Sequence, residues 1–413
     1  MDDEKEWVLT GWAGMSQARG DRNRMITLQE SEPHYLQRPD VRYLHFDSNA
    51  ESMTGYAGRF ALNKQKGNVY VNAAFGFIDP RFDVNDLGFM WRGDELNAHV
   101  VTGYQWTQPG TFAHSAALYF ALFRSYDYGS ELTWSGYFTQ GRVTFLNYYS
   151  IYGFFAYNPR SISDYSTRGG PRMLNLSGWE TDVQFNSDDR QIWIMNSEVH
   201  ALSYQTGDHD VTYSLSVQWM PKPNVSFTFG PAYEQSNWDA QWVGNFADPY
   251  AVSTYGVRYV FATLSQKTLS ANIRLDWTFT PQLSLQFYDQ PLISAGNYHN
   301  YKELAKPGSY NFNFYGRNGS AISEDNGTYR IDPEERGTPF TFSDPNFNYK
   351  SLRGNVILRW EYTPGSTLYL VWTQSRTDSE FPGFLEINRD LRSLVSARPD
   401  NIFLIKFTYW INM

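Results

Sequence analysis

Asp208, His209 and Asp210 stand side by side and combine an imidazole with two carboxylates, the groups that general acid–base catalysis uses. They fall in a short polar break between two alternating segments. Neighbouring residues of a strand point to opposite faces, however, and no second carboxylate pair marks a catalytic centre. We therefore predict that the protein is not an enzyme, and we keep hydrolysis at these three residues as a third hypothesis.

Four aspartates lie close together in FIDPRFDVNDLGFMWRGDE (77–95): Asp79, Asp83, Asp86 and Asp94. Carboxylate oxygens are ligands that Ca²⁺ prefers, which makes Asp79, Asp83 and Asp86 weak metal candidates. The spacing lacks the twelve-residue calcium loop with its terminal glutamate, and Asx turns explain the same residues. The sequence therefore predicts no bound metal and no cofactor.

Six charged residues towards the C-terminal end share another pattern, because each alternates with apolar neighbours. They are Arg274, Asp276, Arg353, Arg359, Glu361 and Lys406. In SLRGNVILRWEYTPGSTLYLVWTQ (351–374), Leu352, Val356, Leu358 and Trp360 alternate with polar residues. Successive strand side chains point to opposite faces, so one face is apolar and the other is charged. The charged face binds or filters a polar solute in one interpretation, and in the other it is a ladder of ion pairs that stiffens a wall.

The same alternation recurs along most of the chain and predicts an all-β protein. Short turns rich in Pro, Gly and Asn alternate with longer polar segments. The turns fall at 65–68, 107–110, 221–224, 280–282 and 363–366, and the longer segments at 20–52, 79–92, 158–172, about 240–255, 296–349 and 377–400. Short turns at one end and long loops at the other are typical of antiparallel outer-membrane barrels, with the turns in the periplasm and the loops outside the cell.

We predict one transmembrane barrel domain over residues 1–413, with about sixteen strands. This number requires residues 258–279 to form a single long strand. If that strand breaks near Gln266, the prediction rises to eighteen. The only helix expected is a short turn around residues 25–31.

The composition supports a lipid environment, and it argues against a helical membrane protein and against a nucleic-acid-binding protein. Aromatic residues make up 18% of the chain and charged residues 19%, and Trp and Tyr gather where strands meet the short turns, as in an interfacial girdle. No apolar run is long enough for a transmembrane helix, which leaves a closed barrel as the spanning structure. The net charge of −9 and the absence of a basic cluster argue against a nucleic-acid partner. We therefore expect the bacterial outer membrane as the location and its lipids as partners.

Residues 296–349 form the longest polar segment, and we expect it to plug or cap the barrel. Its aromatic residues argue against disorder and could contact a ligand, as aromatic platforms contact sugars. They are Tyr298, Tyr301, Tyr310, Phe312, Phe314 and Tyr315. A self-packed cap explains the same residues.

The two ends of the chain lead to further expectations. The first residues, MDDEKEWVLTG, lack the features of a secretory signal, although an outer-membrane barrel must be exported. We therefore expect an upstream segment that is not part of this chain. The last residues, NIFLIKFTYWINM, alternate and carry late aromatic residues, as in the signal that the outer-membrane insertion machinery reads, although the final residue is Met413 rather than an aromatic.

Four stretches resemble a bacterial outer-membrane barrel family of unassigned function. They are FDVNDLGFMWR (82–92), RYVFATLSQKTLS (258–270), LDWTFTPQLSLQFY (275–288) and residues 351–374 quoted above. The resemblance covers essentially the whole chain. It implies an outer-membrane location and an upstream domain similar to carbohydrate-binding family nine, and it assigns no catalytic residues.

Three functional hypotheses follow. The leading one is passage or capture of a polar solute, for which a saccharide is one candidate. The second is a plugged barrel that serves as a structural anchor for an N-terminal domain or a partner protein. The third is the rim hydrolase.

Overall fold

The computed structural model describes residues 5–333, 337–380 and 382–411, which form antiparallel strands, two α-helices and one short 3-10 helix (Val252–Thr254). The elements are β1 Trp7–Arg19, α1 Arg22–Glu30, β2 Ser52–Lys64, β3 Val69–Ile78, β4 Glu95–Trp106, β5 Ala113–Tyr126, β6 Leu132–Phe145, β7 Ser150–Asn158, β8 Ser161–Ser163, β9 Met173–Asn175, β10 Gly178–Asn186, β11 Trp193–Tyr204, β12 His209–Lys222, β13 Val225–Ala247, β14 Val257–Thr280, β15 Leu283–Leu304, β16 Phe312–Phe314, β17 Ala321–Asp325, β18 Thr328–Asp332, β19 Phe340–Ser343, β20 Phe347–Thr363, β21 Ser366–Glu380, α2 Ile387–Ser396 and β22 Asp400–Phe407. The all-β fold expected from the alternation is confirmed.

One sheet of 17 strands dominates the structure. The short strand β16 pairs only with the tip of β15. In the described part of the chain, the remaining sixteen follow each other as an antiparallel meander, in which β7 lies next to β10 and β15 next to β20. Such a meander is the architecture of an outer-membrane barrel.

The two faces of this sheet differ in the way the alternation predicts. On β4, Val100, Tyr104 and Trp106 are exposed, and they alternate with polar residues such as His99 and Gln105. On the polar face, a cavity of about 230 Å³ spans β10 to β14, as the water-filled interior of a barrel requires. Gln184, Asn196, Ser214, Thr228 and Asn272 are among the residues that line it. The polar face is therefore the lumen, and the apolar face meets lipid.

Aromatic pairs mark the end of the barrel that carries the short turns. Ring centroids lie 4.8 Å apart in Tyr104–Trp106, 5.7 Å in Trp193–Trp219 and 4.5 Å in Trp277–Phe279. These amphipathic rings sit where the headgroups of a bilayer would lie. Neither helix in the described residues is long and apolar enough to cross a membrane.

The first and last strands of the meander form a seam. β1 pairs with β2, and β22 pairs with β21, but among the described residues no hydrogen-bonded ladder joins β22 to β1. Side chains on both faces of β22 are exposed, and Phe403 is 75% exposed. The seam is the least covered part of the wall.

The strands β13, β14 and β15 rise well above the others, with 23, 24 and 22 residues. β14 is the single long strand that the sequence predicted over 258–279. Residues 296–349 are not one loop, because Gly296–Leu304 continues β15 and Phe347 begins β20. Between them, the sheet of β17, β18 and β19 packs on the risen strands through Val260, Tyr301 and Ile331. We call the described residues between 305 and 346 the cap.

The helices depart partly from the expectation. α1 covers the predicted turn around 25–31 and is longer than a turn. α2 was not predicted, although Ile387, Leu391, Leu394 and Val395 recur at helical spacing. It packs on the outside of β20 and β21, where the Asp390 carboxylate accepts a hydrogen bond from Asn348 at 3.2 Å and Ser393 donates one to Asp378 at 2.5 Å.

Candidate functional site

Residues 20–51, which connect β1 to β2, cover the mouth of the barrel, and we call them the mouth loop. The segment has its own small core of Met25, Leu36 and Leu44, which packs on Met53 of β2. Gln29 ties its two halves together, because its amide group donates to the Asp47 carbonyl oxygen and accepts from the Asp47 N–H, both at 2.9 Å. The mouth loop is therefore a folded structure.

The mouth loop reaches across to the opposite side of the barrel. Asp40 accepts a hydrogen bond from the backbone N–H of Arg172 at 2.9 Å and lies 3.2 Å from the Nε atom of that arginine. On the near side, the His34 ring contacts the Pro80 carbonyl oxygen at 2.8 Å and Asp83 at 3.0 Å. A Cβ atom at Gly55 would collide with the backbone of Phe82, so the loop after β3 also folds inwards. The two loops together cover the mouth.

A cavity of about 40 Å³ lies between these loops, and we call it the mouth chamber. Its lining combines aromatic rings with charges: Glu32, Tyr35, Arg38, Trp91, Arg92, Asp94, Asp164 and Tyr165 are the side chains that matter for its chemistry. The rings of Trp91 and Tyr165 are exposed. The chamber thus joins flat apolar surfaces to hydrogen-bonding groups.

Arg38 is the central charge of the mouth chamber and is only 5% exposed. Its Nη1 atom lies 3.4 Å from Asp164 and 3.9 Å from Asp94, while Arg92 holds Asp164 more closely, at 2.7 Å. Among the described residues, the Nε and Nη2 atoms of Arg38 have no hydrogen-bond partner, although Nε lies 3.7 Å from the Asp40 carboxylate. Buried N–H donors without an acceptor are costly, so this guanidinium is ready to bind an added oxygen atom.

Two residues of the mouth chamber adopt a backbone conformation that L-residues rarely use. Tyr35 has φ of 41° and Asp94 has φ of 54°. Neither is glycine, and such conformations cost of order 1–3 kcal/mol each. The surrounding contacts therefore stabilise an unfavourable local geometry at this site.

Burial controls the carboxylates near the chamber. It raises the pKa of Asp94, and the neighbouring Asp127 adds to this effect, although N–H and O–H donors from Tyr128 and Tyr43 oppose it. Burial also raises the pKa of Asp127. Burial alone would raise the pKa of Asp83, but hydrogen bonds from His34 and Asn85 outweigh it and lower that pKa. Asp94 thus binds protons more readily than an exposed aspartate.

Asp79 and Asp83, two of the weak metal candidates, form hydrogen bonds with the backbone of their own loop. Asp79 accepts a hydrogen bond from the Arg81 N–H at 2.8 Å, and Asp83 accepts one from the Asn85 N–H at 3.0 Å. Asp86 joins no ligand set. Within the described ranges, no group of three or more His, Asp or Glu residues is placed to hold a metal ion.

Asp208, His209 and Asp210 do not form a catalytic constellation. The His209 Nδ1 atom lies 3.3 Å from the Gly207 carbonyl oxygen, and Asp208 accepts from the Asp239 N–H at 2.6 Å. Asp210 lies on the lumen face of β12 and His209 on the opposite face, as the alternation requires. The geometry offers no relay between imidazole and carboxylate.

The six charged residues predicted for the lumen all lie on strands, on the face opposite to the exposed apolar side chains. Arg274 pairs with Asp276 at 2.7 Å, and Arg359 with Glu361 at 2.9 Å. Lys406 lies over the Tyr369 ring, 5.9 Å from its centroid, and Arg353 is exposed to the lumen. Their role in binding a solute stays a prediction.

The aromatic residues predicted as ligand contacts belong to the packed interior of the cap and its supporting strands. Tyr301 and Tyr315 are buried in one cluster, which Tyr298 adjoins. Tyr310 and Phe312 flank a second cluster, and Phe314 lies under the cations of Lys302 and Arg317. Protein covers most of their ring faces, so a role in ligand contact stays a prediction that requires the cap to open.

Sequence reasoning missed the mouth chamber. Arg38, Asp94 and Asp164 come from three separate loops, and no spacing in the sequence connects them. The segment 20–52 was identified only as a long polar connection. Its density of Pro, His, Tyr and Arg in SEPHYLQRPD (31–40) is the one local signal that could have indicated a folded loop.

The meander, its lipid-facing apolar band and the covered mouth define an outer-membrane β-barrel. Residues 23–413 match a family described as a domain of unknown function, DUF5916, and the chain belongs to this family. The resemblance to an outer-membrane barrel family of unassigned function is thereby confirmed. No curated protein matches the sequence.

Two solved structures are similar to this chain at low identity. One is the ferric enterobactin receptor PfeA in complex with BCV-L6, with a TM-score of 0.39 and 6% identity over 90% of this chain and 64% of that chain. The other is the siderophore receptor PirA from Acinetobacter baumannii, with a TM-score of 0.42 and 7% identity over 98% of this chain and 68% of that chain. This chain thus spans less than two thirds of the PfeA chain.

Proposed function

We propose that this outer-membrane barrel captures a polar solute in the mouth chamber and passes it into the lumen, and that the solute is a saccharide. The observation that carries the proposal is the buried Arg38 guanidinium, which lies beside open aromatic rings. Among the described residues its Nη2 atom has no hydrogen-bond partner, and its Nε atom has only a distant ion pair with Asp40 at 3.7 Å. A hydroxyl or ring oxygen of a sugar would accept the hydrogen bonds that the protein leaves unmade.

The rest of the chamber suits a sugar as well. Asp94 and Asp164 supply acceptors for hydroxyl protons, and Arg92 and Arg38 supply donors, so neighbouring hydroxyls can bind donor and acceptor together. Trp91, which is 73% exposed, offers a flat apolar face for the C–H side of the ring. The chamber, at about 40 Å³, has room for one hydroxyl or hydroxymethyl group of the sugar, and the rest of the ring would lie outside it on the exposed aromatic faces.

Below the chamber, the lumen continues this chemistry. Amide and hydroxyl groups line the cavity between β10 and β14, and they can exchange hydrogen bonds with a hydroxyl-rich solute along its path. A barrel of sixteen strands is wide enough for an aqueous channel when nothing fills it.

Isothermal titration calorimetry tests capture, with maltotriose, cellotriose and chitotriose as probes of the purified barrel in detergent. We expect Arg38→Met to weaken binding of the preferred probe at least about 10-fold, because a hydrogen bond to a charged group contributes about 1.5–3 kcal/mol. Arg190→Met is the matched control, since Arg190 lies in the turn between β10 and β11 and pairs with Asp188. No binding by the intact protein, or equal binding by Arg38→Met, would refute saccharide capture.

A structural anchor is the second candidate, favoured by the mouth loop that covers the opening. Single-channel conductance separates the two functions. The Gly20 N–H donates to the Glu51 carbonyl oxygen at 3.2 Å, so a two-residue Asn-Gly turn can replace residues 21–50 and keep the β1–β2 hairpin. We expect this variant to conduct more than the intact protein. Silence of both folded proteins would favour the anchor.

A further inference from the structure

We propose that the lumen wall formed by β10 to β13 binds an organic cation, an ammonium or guanidinium group, so that the solute that passes this wall carries such a group. This inference rests on the proposed passage of a solute and specifies its charge. It is carried by five carboxylates that face the lumen from four neighbouring strands: Glu180, Asp182, Glu198, Asp210 and Glu234.

The strand registers bring these carboxylates together. Asp182 lies opposite His200, which lies opposite Thr212, and Thr212 lies opposite Glu234, so these residues share one row across the wall. Glu198 belongs to the next row towards the turns. Glu180 and Asp210 belong to the next row towards the mouth. Five negative side chains therefore occupy three successive rows of the lumen face.

Two pairs of these carboxylates are diagonal neighbours across adjacent strands. Glu198 lies diagonally across from Asp182, and Glu234 lies diagonally across from Asp210. Two neighbouring carboxylates repel each other when both are ionised, so a shared proton or a cation between them stabilises the pair. A positive group placed between the two carboxylates of a pair would therefore neutralise their repulsion.

Asp182 shows directly that a partner is missing. Its side chain is only 8% exposed, and among the described residues its Oδ1 atom has no hydrogen-bond partner. In the same part of the chain, no lysine or arginine forms an ion pair with any of the five carboxylates. The nearest positive candidate is His200, whose Nε2 atom lies 3.9 Å from Glu180. A buried carboxylate oxygen without a donor is costly, and an N–H donor from a ligand would remove that cost.

The arrangement favours an organic cation over a metal ion. A metal ion needs three or more ligands that converge on one point, and the described residues contain no such group. The carboxylates are instead spread along the wall. Several N–H donors on one ammonium-rich or guanidinium-bearing molecule match that spread.

The wall eight strand positions away carries fewer charges, and they are mixed. In a barrel of sixteen strands, strands eight positions apart face each other, so β10 faces β22 and β12 faces β2. Lys406 and Asp400 lie on the lumen face of β22, and Arg59 lies on that of β2. The five carboxylates of β10–β13 therefore make that wall the more negative one, and the field across the lumen attracts a cationic group to it.

Calorimetric titration of the full-length barrel in detergent tests this proposal, with spermidine as the probe at low ionic strength. We expect the double variant Asp182→Asn/Glu198→Gln to weaken spermidine binding at least 10-fold. The matched control Asp276→Asn/Glu361→Gln removes the same number of carboxylates elsewhere in the lumen, where Arg274 and Arg359 already neutralise them. We expect it to leave the affinity within 2-fold. Heat-modifiable migration in gels verifies that each variant is folded.

Three results would overturn the proposal: no spermidine binding by the intact barrel, equal weakening by both double variants, or unchanged binding after removal of Asp182 and Glu198. The first result, together with proton uptake on lowering the pH, would show that shared protons occupy the carboxylate pairs. Failure of saccharide capture is recognised separately, because Arg38→Met changes trisaccharide binding and leaves the spermidine site intact.

Discussion

The wall of β13, β14 and β15 and the seam between β22 and β1 are the two extremes of this barrel. β14 pairs along its length with β13 on one side and β15 on the other, and the upper parts of the three strands carry the buried clusters of the cap. β22 has 8 residues, pairs only with β21 among the described residues and is exposed on both faces. An unpaired strand edge is costly in lipid, so the seam is where the barrel has least resistance to opening.

The contrast extends to the way each region holds its charges. In the tall wall, Arg258 lies buried between Asp248 at 2.6 Å and Glu303 at 2.7 Å. Beside the seam, Lys350 is fully buried on the outer side of β20, where α2 covers its contact with Asp378 at 2.8 Å. The wall is thus secured by its own strands, whereas the strands next to the seam depend on a helix outside the barrel.

We expect the largest loss of stability in the wall of β13, β14 and β15. Arg258→Met would leave Asp248 and Glu303 buried without their shared cation, and we expect a loss of about 3–5 kcal/mol of local stability. Hydrogen exchange of the β17–β19 amides measures it. Arg274→Met, an exposed arginine on the same β14, is the control and should change this stability by less than about 1 kcal/mol. An equally small effect at Arg258 would remove the distinction between the wall and the seam.

A second prediction compares the two regions within the intact protein. Amides of β22 that bond to β21 should exchange about 100-fold faster than amides in the middle of β14, a difference of about 2.7 kcal/mol in opening free energy. The physical reason is that β22 has one paired edge and β14 has two. Hydrogen exchange in lipid nanodiscs measures this ratio. Equal protection would mean that β22 and β1 pair in the membrane.

The smallest effect concerns α2. Leu394 is 1% exposed and Leu391 is 41% exposed, although both lie on the same helix. We expect Leu394→Ala to destabilise the helix by about 2 kcal/mol and to speed exchange in the neighbouring β21, and Leu391→Ala to change it by less than about 0.5 kcal/mol. Equal effects of the two variants would show that α2 does not support the strands beside the seam.

The fold was largely predictable, because its signal is local. The alternation of Val356, Leu358 and Trp360 with charged neighbours places each residue on a face without knowledge of any other strand. The turns at Gly67 and Gly365 also depend on local chemistry, since both glycines adopt positive φ. α2 carries a local signal as well, because Ile387, Leu391, Leu394 and Val395 recur at helical spacing, but the sequence analysis treated residues 377–400 as a polar loop.

The candidate sites were not predictable in the same way. Asp182 and Glu198 are visible as lumen residues of two strands, but their proximity depends on the register between β10 and β11. The mouth chamber depends on still longer connections, because Arg38 and Asp164 are 126 residues apart in sequence. The local alternation of apolar and polar residues carries no information about contacts between segments so far apart.

The sequence by itself determined which side chains face lipid, which face the lumen and at which end the short turns lie, because a strand alternates its side chains with a period of two. Only the tertiary structure decided that the mouth loop folds over the opening, that five carboxylates gather on one wall, and that no ladder joins β22 to β1 among the described residues. These features arise from contacts between distant segments, and such contacts form only when the barrel is assembled.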